Sequence, residues 1–156
     1  MESREAIARR VFAAWSSGDA DAPEPFFTPD AVLTDVASGR FEGWPAIRAF
    51  FASGLARWND LVLDPRQFWF GDDGVALHYV MSATVNDPSI YGPDVVGRRW
   101  EVDVMSFLCF RDERVCFEAD HHDRGARRRS LGLEDWTGLP PVPWTMVRSL
   151  PEGTHP

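Results

Sequence analysis

Apolar side chains first recur at helical spacing. Ile7, Val11 and Trp15 share one stripe that Ala8 and Phe12 widen, which predicts a helix over about 3–16, stopped by Gly18-Asp19. The run 23–29, with three prolines around Phe26 and Phe27, reads as a turn or short helix that brings two aromatics to the core. Residues 31–35 form a short strand closed by a turn at Ser38-Gly39. A second long helix opens near Pro45, with Ile47, Phe50, Phe51, Leu55 and Trp58 as its apolar face. Strands dominate thereafter. Residues 66–71 and 75–85 make a hairpin across Asp72-Asp73-Gly74, and 96–110 with 115–121 make another. The loop 86–93 between them is long enough to cover a pocket mouth.

Helices followed by antiparallel strands give an α+β domain with the helices on one face of the sheet. The domain occupies 1–133. Residues 134–156, with Trp136, Trp144 and several prolines, show neither period and read as an irregular tail draped on the body or on a partner subunit.

Composition narrows the function. The 156 residues are 44% hydrophobic and 26% charged, which suits a single globular domain. A net charge of −8 argues against nucleic acid as a partner. The triplet Arg127, Arg128, Arg129 is too short to change that and reads as a solvated turn. No apolar run approaches the roughly 20 residues that span a membrane, and the polar start lacks a signal-peptide pattern, so a cytoplasmic protein is expected. Cys109 and Cys116 flank a short turn. A cross-strand disulfide is geometrically conceivable there, while two reduced, buried thiols suit a cytosolic protein.

Dinucleotide, phosphate-loop and serine-hydrolase motifs are absent. A few carboxylates and histidines remain in a shell of aromatics. Asp35 ends an apolar strand, where it serves either as a turn cap or as a pocket carboxylate. His78 lies within an apolar strand, as a packed group or a catalyst. Asp120, His121, His122 and Asp123 form the densest titratable cluster, with Asp120 and His122 on one side of a strand. No metal-ligand spacing accompanies it, and neither metal nor cofactor is expected. Carboxylates in apolar surroundings acquire raised pKa values and become usable acids near neutral pH.

Three segments resemble the nuclear transport factor 2-like superfamily, which includes ketosteroid isomerases, SnoaL-like polyketide cyclases, limonene epoxide hydrolases and scytalone dehydratase. They are Val11 to Asp19, Phe27 to Asp35 and Phe41 to Phe51, joined by the closing strand Arg114 to Asp123. The resemblance covers about 7–132. It implies a cone-shaped, curved sheet packed on the N-terminal helices around an internal pocket, commonly in a homodimer. Asp35 falls where the isomerases keep their proton-shuttling aspartate, and Asp120 where the epoxide hydrolases keep a catalytic one. His78 falls on a strand position that lines the isomerase pocket. Val11 stands in place of the isomerase oxyanion tyrosine and Ser106 in place of its protonated aspartate, which argues against steroid isomerisation.

One conflict concerns register. Simple pairing of the last hairpin puts Ser106 on one face and Asp103, Glu118 and Asp120 on the other. The resemblance requires Ser106 and Asp120 together, which a β-bulge would achieve.

The leading expectation is a cofactor-free isomerase, cyclase or dehydratase acting on a small cyclic or polyketide-like molecule. Asp35 would remove a proton beside a carbonyl, and His78, Ser106 or Asp120 would hold or protonate the oxygen. Trp15, Phe50, Trp58 and Trp69 would supply apolar walls, though they serve equally as core. Val11 and Val80 would extend the lining, with Asp103 and His122 as polar members. The alternatives are a non-catalytic ligand-binding or assembly module of the same fold, and an epoxide hydrolase.

Overall fold

The computed structural model describes residues 3–133, so the 134–156 tail lies outside the described residues. Ser3 caps the first helix, α1 (Arg4–Trp15), by accepting the Ala6 N–H at 3.2 Å. Its stripe of Ile7, Ala8, Val11, Phe12 and Trp15 is buried, as the spacing predicts. A 3-10 turn, Glu24–Phe26, leads into β1 (Phe27–Asp35). The chain then folds back as β2 (Gly39–Glu42), which carries a single apolar side chain, Phe41, and therefore left no alternation to read.

The second helix, α2 (Trp44–Arg57), buries Trp44 and Ile47. Phe50, Phe51 and Leu55 are half-buried and pack against the core, and Phe50 and Phe51 also line a cavity. Trp58, expected on the helix, instead begins β3 (Trp58–Phe70). This strand is twice as long as its pattern suggests. Two register shifts against β4 (Gly74–Val85), between Asn59 and Val62 and between Pro65 and Gln67, break its alternation. The 86–93 loop contains α3 (Pro88–Tyr91), capped by Asp87. The described residues end with β5 (Arg99–Arg111), β6 (Arg114–His122) and α4 (Arg124–Ser130).

The six strands form one curved sheet in the order β2-β1-β6-β5-β4-β3. Every neighbouring pair is antiparallel except β1 and β6, which run parallel because the last strand returns beside the first. The helices cover the concave face. Phe12 meets Tyr79 edge-on at 4.7 Å between ring centroids, and Trp15 meets Phe27 at 5.4 Å. The Ser16 hydroxyl accepts the Leu63 N–H at 2.9 Å and ties the end of α1 to β3. Cys109 and Cys116 are both free thiols, and burial raises the Cys109 pKa.

The β5–β6 hairpin turns through two residues, Asp112 and Glu113, with φ of 51° and 64° and Arg111 paired to Arg114. Positive φ at both central positions is a type I′ turn, which favours glycine at the second. Glu113→Gly removes left-handed strain and is expected to stabilise the fold by about 0.5–1 kcal/mol. Urea denaturation measures it; an unchanged midpoint contradicts that account of the turn.

Candidate active site

The sheet's inward faces follow from strand alternation. On β4, Leu77, Tyr79 and Met81 point into the concave side, so His78 and Val80 point away from it. On β5, Val102, Val104, Ser106 and Leu108 are buried, so Asp103 is outside with Met105 and Phe107. His78 and Asp103 meet on that outer face, Nε2 to Oδ1 at 2.7 Å. His78, Val80 and Asp103 are therefore not pocket residues. Trp69 is 45% exposed near the end of the edge strand β3 and also lies away from the pocket. Val11 is fully buried in the α1 core and does not reach the cavity.

On β6 the register conflict is resolved by a bulge. Cys109 pairs with Phe117 and Phe110 pairs with Val115, which leaves Cys116 as an extra residue. Beyond it the pairs are Leu108 with Glu118, Ser106 with Asp120 and Val104 with His122. Glu118, Asp120 and His122 consequently join Ser106 on the concave side, while Asp103 stays outside. The parallel ladder sets Asp35 of β1 beside Asp120.

These side chains head a cavity of about 470 Å³. Trp15, Phe50 and Trp58 line it, together with Phe41, Phe51, Tyr91 and Trp100. Ile90 and Tyr91 of the 86–93 loop also line it. This volume and a mainly aromatic wall suit one small organic molecule.

The polar head is tightly connected. The Ser106 hydroxyl donates to Asp120 Oδ1, and the Tyr79 hydroxyl lies 3.5 Å from the same oxygen. Burial raises the Asp120 pKa to about 7; the Ser106 bond opposes the rise, the Asp35 charge adds to it and the Tyr79 bond opposes it. Glu118 is 2% exposed, and burial chiefly, with the Asp120 charge, holds its pKa well above the usual carboxylate range. Its Oε2 has no hydrogen-bond partner. Burial likewise raises the Tyr79 pKa well above the ordinary phenol value.

His122 Nδ1 lies 3.6 Å from Asp35 Oδ2, with both side chains under a tenth exposed. Burial lowers the His122 pKa, with Asp35 acting in the opposite direction and Arg127 and Arg124 adding to the decrease. Asp35 Oδ1 accepts the Ala37 N–H at 2.9 Å, so Asp35 both caps its turn and faces the cavity. Asp35, then, meets His122 and not His78.

Residues missed by sequence reasoning are Tyr79, Glu118 and Arg127. Tyr79 is signalled by alternation once His78 is placed outward. Glu118 follows from the bulge. Arg127 lies on a short helix, not in a solvated turn; Arg124 and Arg127 are three residues apart and both reach the cavity. Trp58 and Trp100 provide ring faces for its guanidinium, at 5.4 and 5.0 Å from the centroids. Among the described residues no group of three His, Cys, Asp or Glu side chains is placed to hold a metal ion, and no helix is long and apolar enough to cross a membrane.

A curved sheet closed by helices over an aromatic cavity with a carboxylate head is the architecture of the nuclear transport factor 2-like superfamily. Within it, the SnoaL-like domain family model matches residues 8–118, and the chain belongs to that family, which is of cyclase and isomerase type. Among solved structures, a protein with a ketosteroid isomerase-like fold from Catenulispora acidiphila DSM 44928, in complex with trimethylamine, is 19% identical with a TM-score of 0.73, over 85% of this chain and 96% of that one. A SnoaL-like polyketide cyclase from Agrobacterium tumefaciens str. C58 is 18% identical with a TM-score of 0.70, over 85% and 100%. TsrD from Streptomyces laurentii is 20% identical with a TM-score of 0.70, over 86% and 100%. At such identities the likeness is one of fold. No curated protein matches the chain.

The Ser106 bond holds the Asp120 pKa down. Ser106→Ala is therefore expected to move the Asp120 midpoint upward from about 7, as read by carboxyl-carbon NMR against pH. A midpoint that stays or falls contradicts the hydrogen-bond assignment.

Proposed function

We propose that the cavity performs cofactor-free acid–base chemistry on a small cyclic or polyketide-like substrate, as an isomerase, cyclase or dehydratase. The observation that carries this reading is the pairing of opposite shifts. Asp120 is raised to about 7 while His122 is lowered, so a carboxylic acid and a neutral imidazole coexist near neutral pH. The Asp35–His122 pair removes a proton beside a substrate carbonyl, with the carboxylate stabilising the imidazolium as it forms. The pair, rather than either member alone, is the base. Protonated Asp120 donates to the carbonyl oxygen and stabilises the enol; Ser106 and Tyr79 hold its carboxyl in place. Return of the proton to another carbon gives isomerisation. Attack of the enol carbon on a second carbonyl gives cyclisation, and loss of a β-hydroxyl gives dehydration.

The non-catalytic alternative would be favoured by an exposed apolar sheet face without a polar-lined pocket. Trp69, Phe70, Met105 and Phe107 are indeed exposed, and the homodimer expected of the family would occupy such a surface. The polar head of the cavity, however, supports chemistry. Epoxide hydrolysis has less support, because Asp120 is held by Ser106 and Tyr79 and no arginine among the described residues bonds to it.

Two measurements test the reading on a substrate found by screening cyclic ketones and polyketide-like esters. Asp35→Asn is expected to lower kcat by about 10²–10⁴-fold, the range for losing a general base; turnover left intact sinks the proposal. An acid with a pKa of about 7 must be protonated to act. Wild-type kcat/KM should therefore decline as pH rises through that value, and a profile flat from pH 5 to 9 excludes Asp120 as the acid. Separately, the Asp35 charge supports protonation of His122. Asp35→Asn should lower the His122 midpoint in an NMR titration, and an unchanged midpoint shows that the two do not interact.

A further inference from the structure

The Arg127 guanidinium sits at the Trp58–Trp100 end of the cavity. Its Nη2 lies 3.5 Å from His122 Nε2. A guanidinium only donates, so His122 Nε2 is the acceptor in that contact, while Nδ1 is buried without a hydrogen-bond partner, 3.6 Å from Asp35 Oδ2. Arg127 Nε is buried with no hydrogen-bond partner, and no carboxylate among the described residues forms an ion pair with this side chain.

A cation taken out of water without an anion is unfavourable. Burial is the main cause that lowers the Arg127 pKa, yet an arginine stays charged at neutral pH. Tyr91 and Asp35 offset part of that lowering, but no carboxylate among the described residues pairs with the guanidinium directly. Glu118 is held protonated by burial, Asp120 is largely so below pH 7, and Asp35 faces the other side of His122. Arg57, from the end of α2, and Arg124, one helical turn before Arg127, line the same cavity. A chain of net charge −8 thus places three arginines in the lining of this cavity.

We propose that Arg127 anchors a carboxylate of the substrate, so that the cavity takes small organic acids with the anionic group on the guanidinium and the adjoining carbons beside His122. This rests on the cavity being the reaction site and adds the class of molecule. The guanidinium fork matches a planar carboxylate, and cation–π contact with two indole rings helps to hold it in place before the ligand arrives.

Isothermal titration calorimetry with benzoate, cyclohexanecarboxylate and 2-naphthoate, each against its carboxamide, tests the proposal. The wild type is expected to bind at least one acid about tenfold or more tighter than its amide, as a charge-assisted bond requires. Arg127→Met should abolish that preference and Arg127→Lys should retain part of it, since the charge survives and the fork does not. Equal affinity for acid and amide in the wild type, no saturable binding of any acid, or a preference that survives Arg127→Met overturns it. Should Arg127→Met fail to fold, the wild-type and Arg127→Lys comparisons decide alone. The readout is equilibrium binding, so its failure is separate from a failure of Asp35→Asn to slow turnover.

Discussion

The extra residue at Cys116 determines which side of β6 meets the cavity. Side-chain direction in a strand has a period of two, so one inserted residue inverts everything beyond it relative to the hairpin turn. Val115, before the bulge, packs in the core; Glu118, three residues later, faces the same way. Asp120 and His122 follow in step. The Ser106–Asp120 bond, the contact with Tyr79 and the approach of His122 to Asp35 all depend on that inversion. The type I′ turn at Asp112-Glu113 limits slippage of the hairpin, and the parallel pairing of β1 with β6 brings Asp35 into the same group.

A polar cluster of this kind is unfavourable in an apolar cavity unless it is paired or neutral. Both solutions occur here. Glu118 and Tyr79 remain uncharged because burial raises their pKa values, and Asp120 lies near the crossing point at about 7. Asp35 retains one backbone hydrogen bond and its imidazole neighbour. Arg127 lies on the Nε2 side of His122 and Asp35 on the Nδ1 side. The histidine is consequently flanked by opposite charges. That arrangement orients an asymmetric ligand as well as binding it.

Much of the fold was legible in the residues because its long-range order follows local periodicity. The α1 stripe, the β4 and β5 alternation and the Asp72-Asp73-Gly74 turn each indicate their own structure. What escaped was non-local. The length of β3 was hidden by two register shifts, and β2 by a single apolar residue. Asp35, Asp120, Ser106 and His122 were identifiable as polar groups in apolar settings, but their grouping depends on a bulge that has no sequence signature in Arg114-Val115-Cys116-Phe117. His78 misled because a histidine within an apolar strand looks alike whichever face it occupies; the neighbouring Tyr79 is the one that points inward. Arg127 was read from its charge, whereas its position was set by the two tryptophans that cover it.

The helix α2 ends at Arg57, and β3 begins at Trp58 with no connecting segment. One wall of the cavity is thus a single mechanical piece, anchored along β4 from Trp58 to Phe70. The turns between β4 and β5 adjoin that piece, held by the Asp87 cap and by the Asn86 N–H on the Arg57 carbonyl. Ile90 and Tyr91, on the short helix that Asp87 caps, complete the lining beside that junction, with the Tyr91 ring 6.3 Å from that of Trp58. The corner of the cavity where helix passes directly into strand is thus also the corner where its aromatic lining is densest.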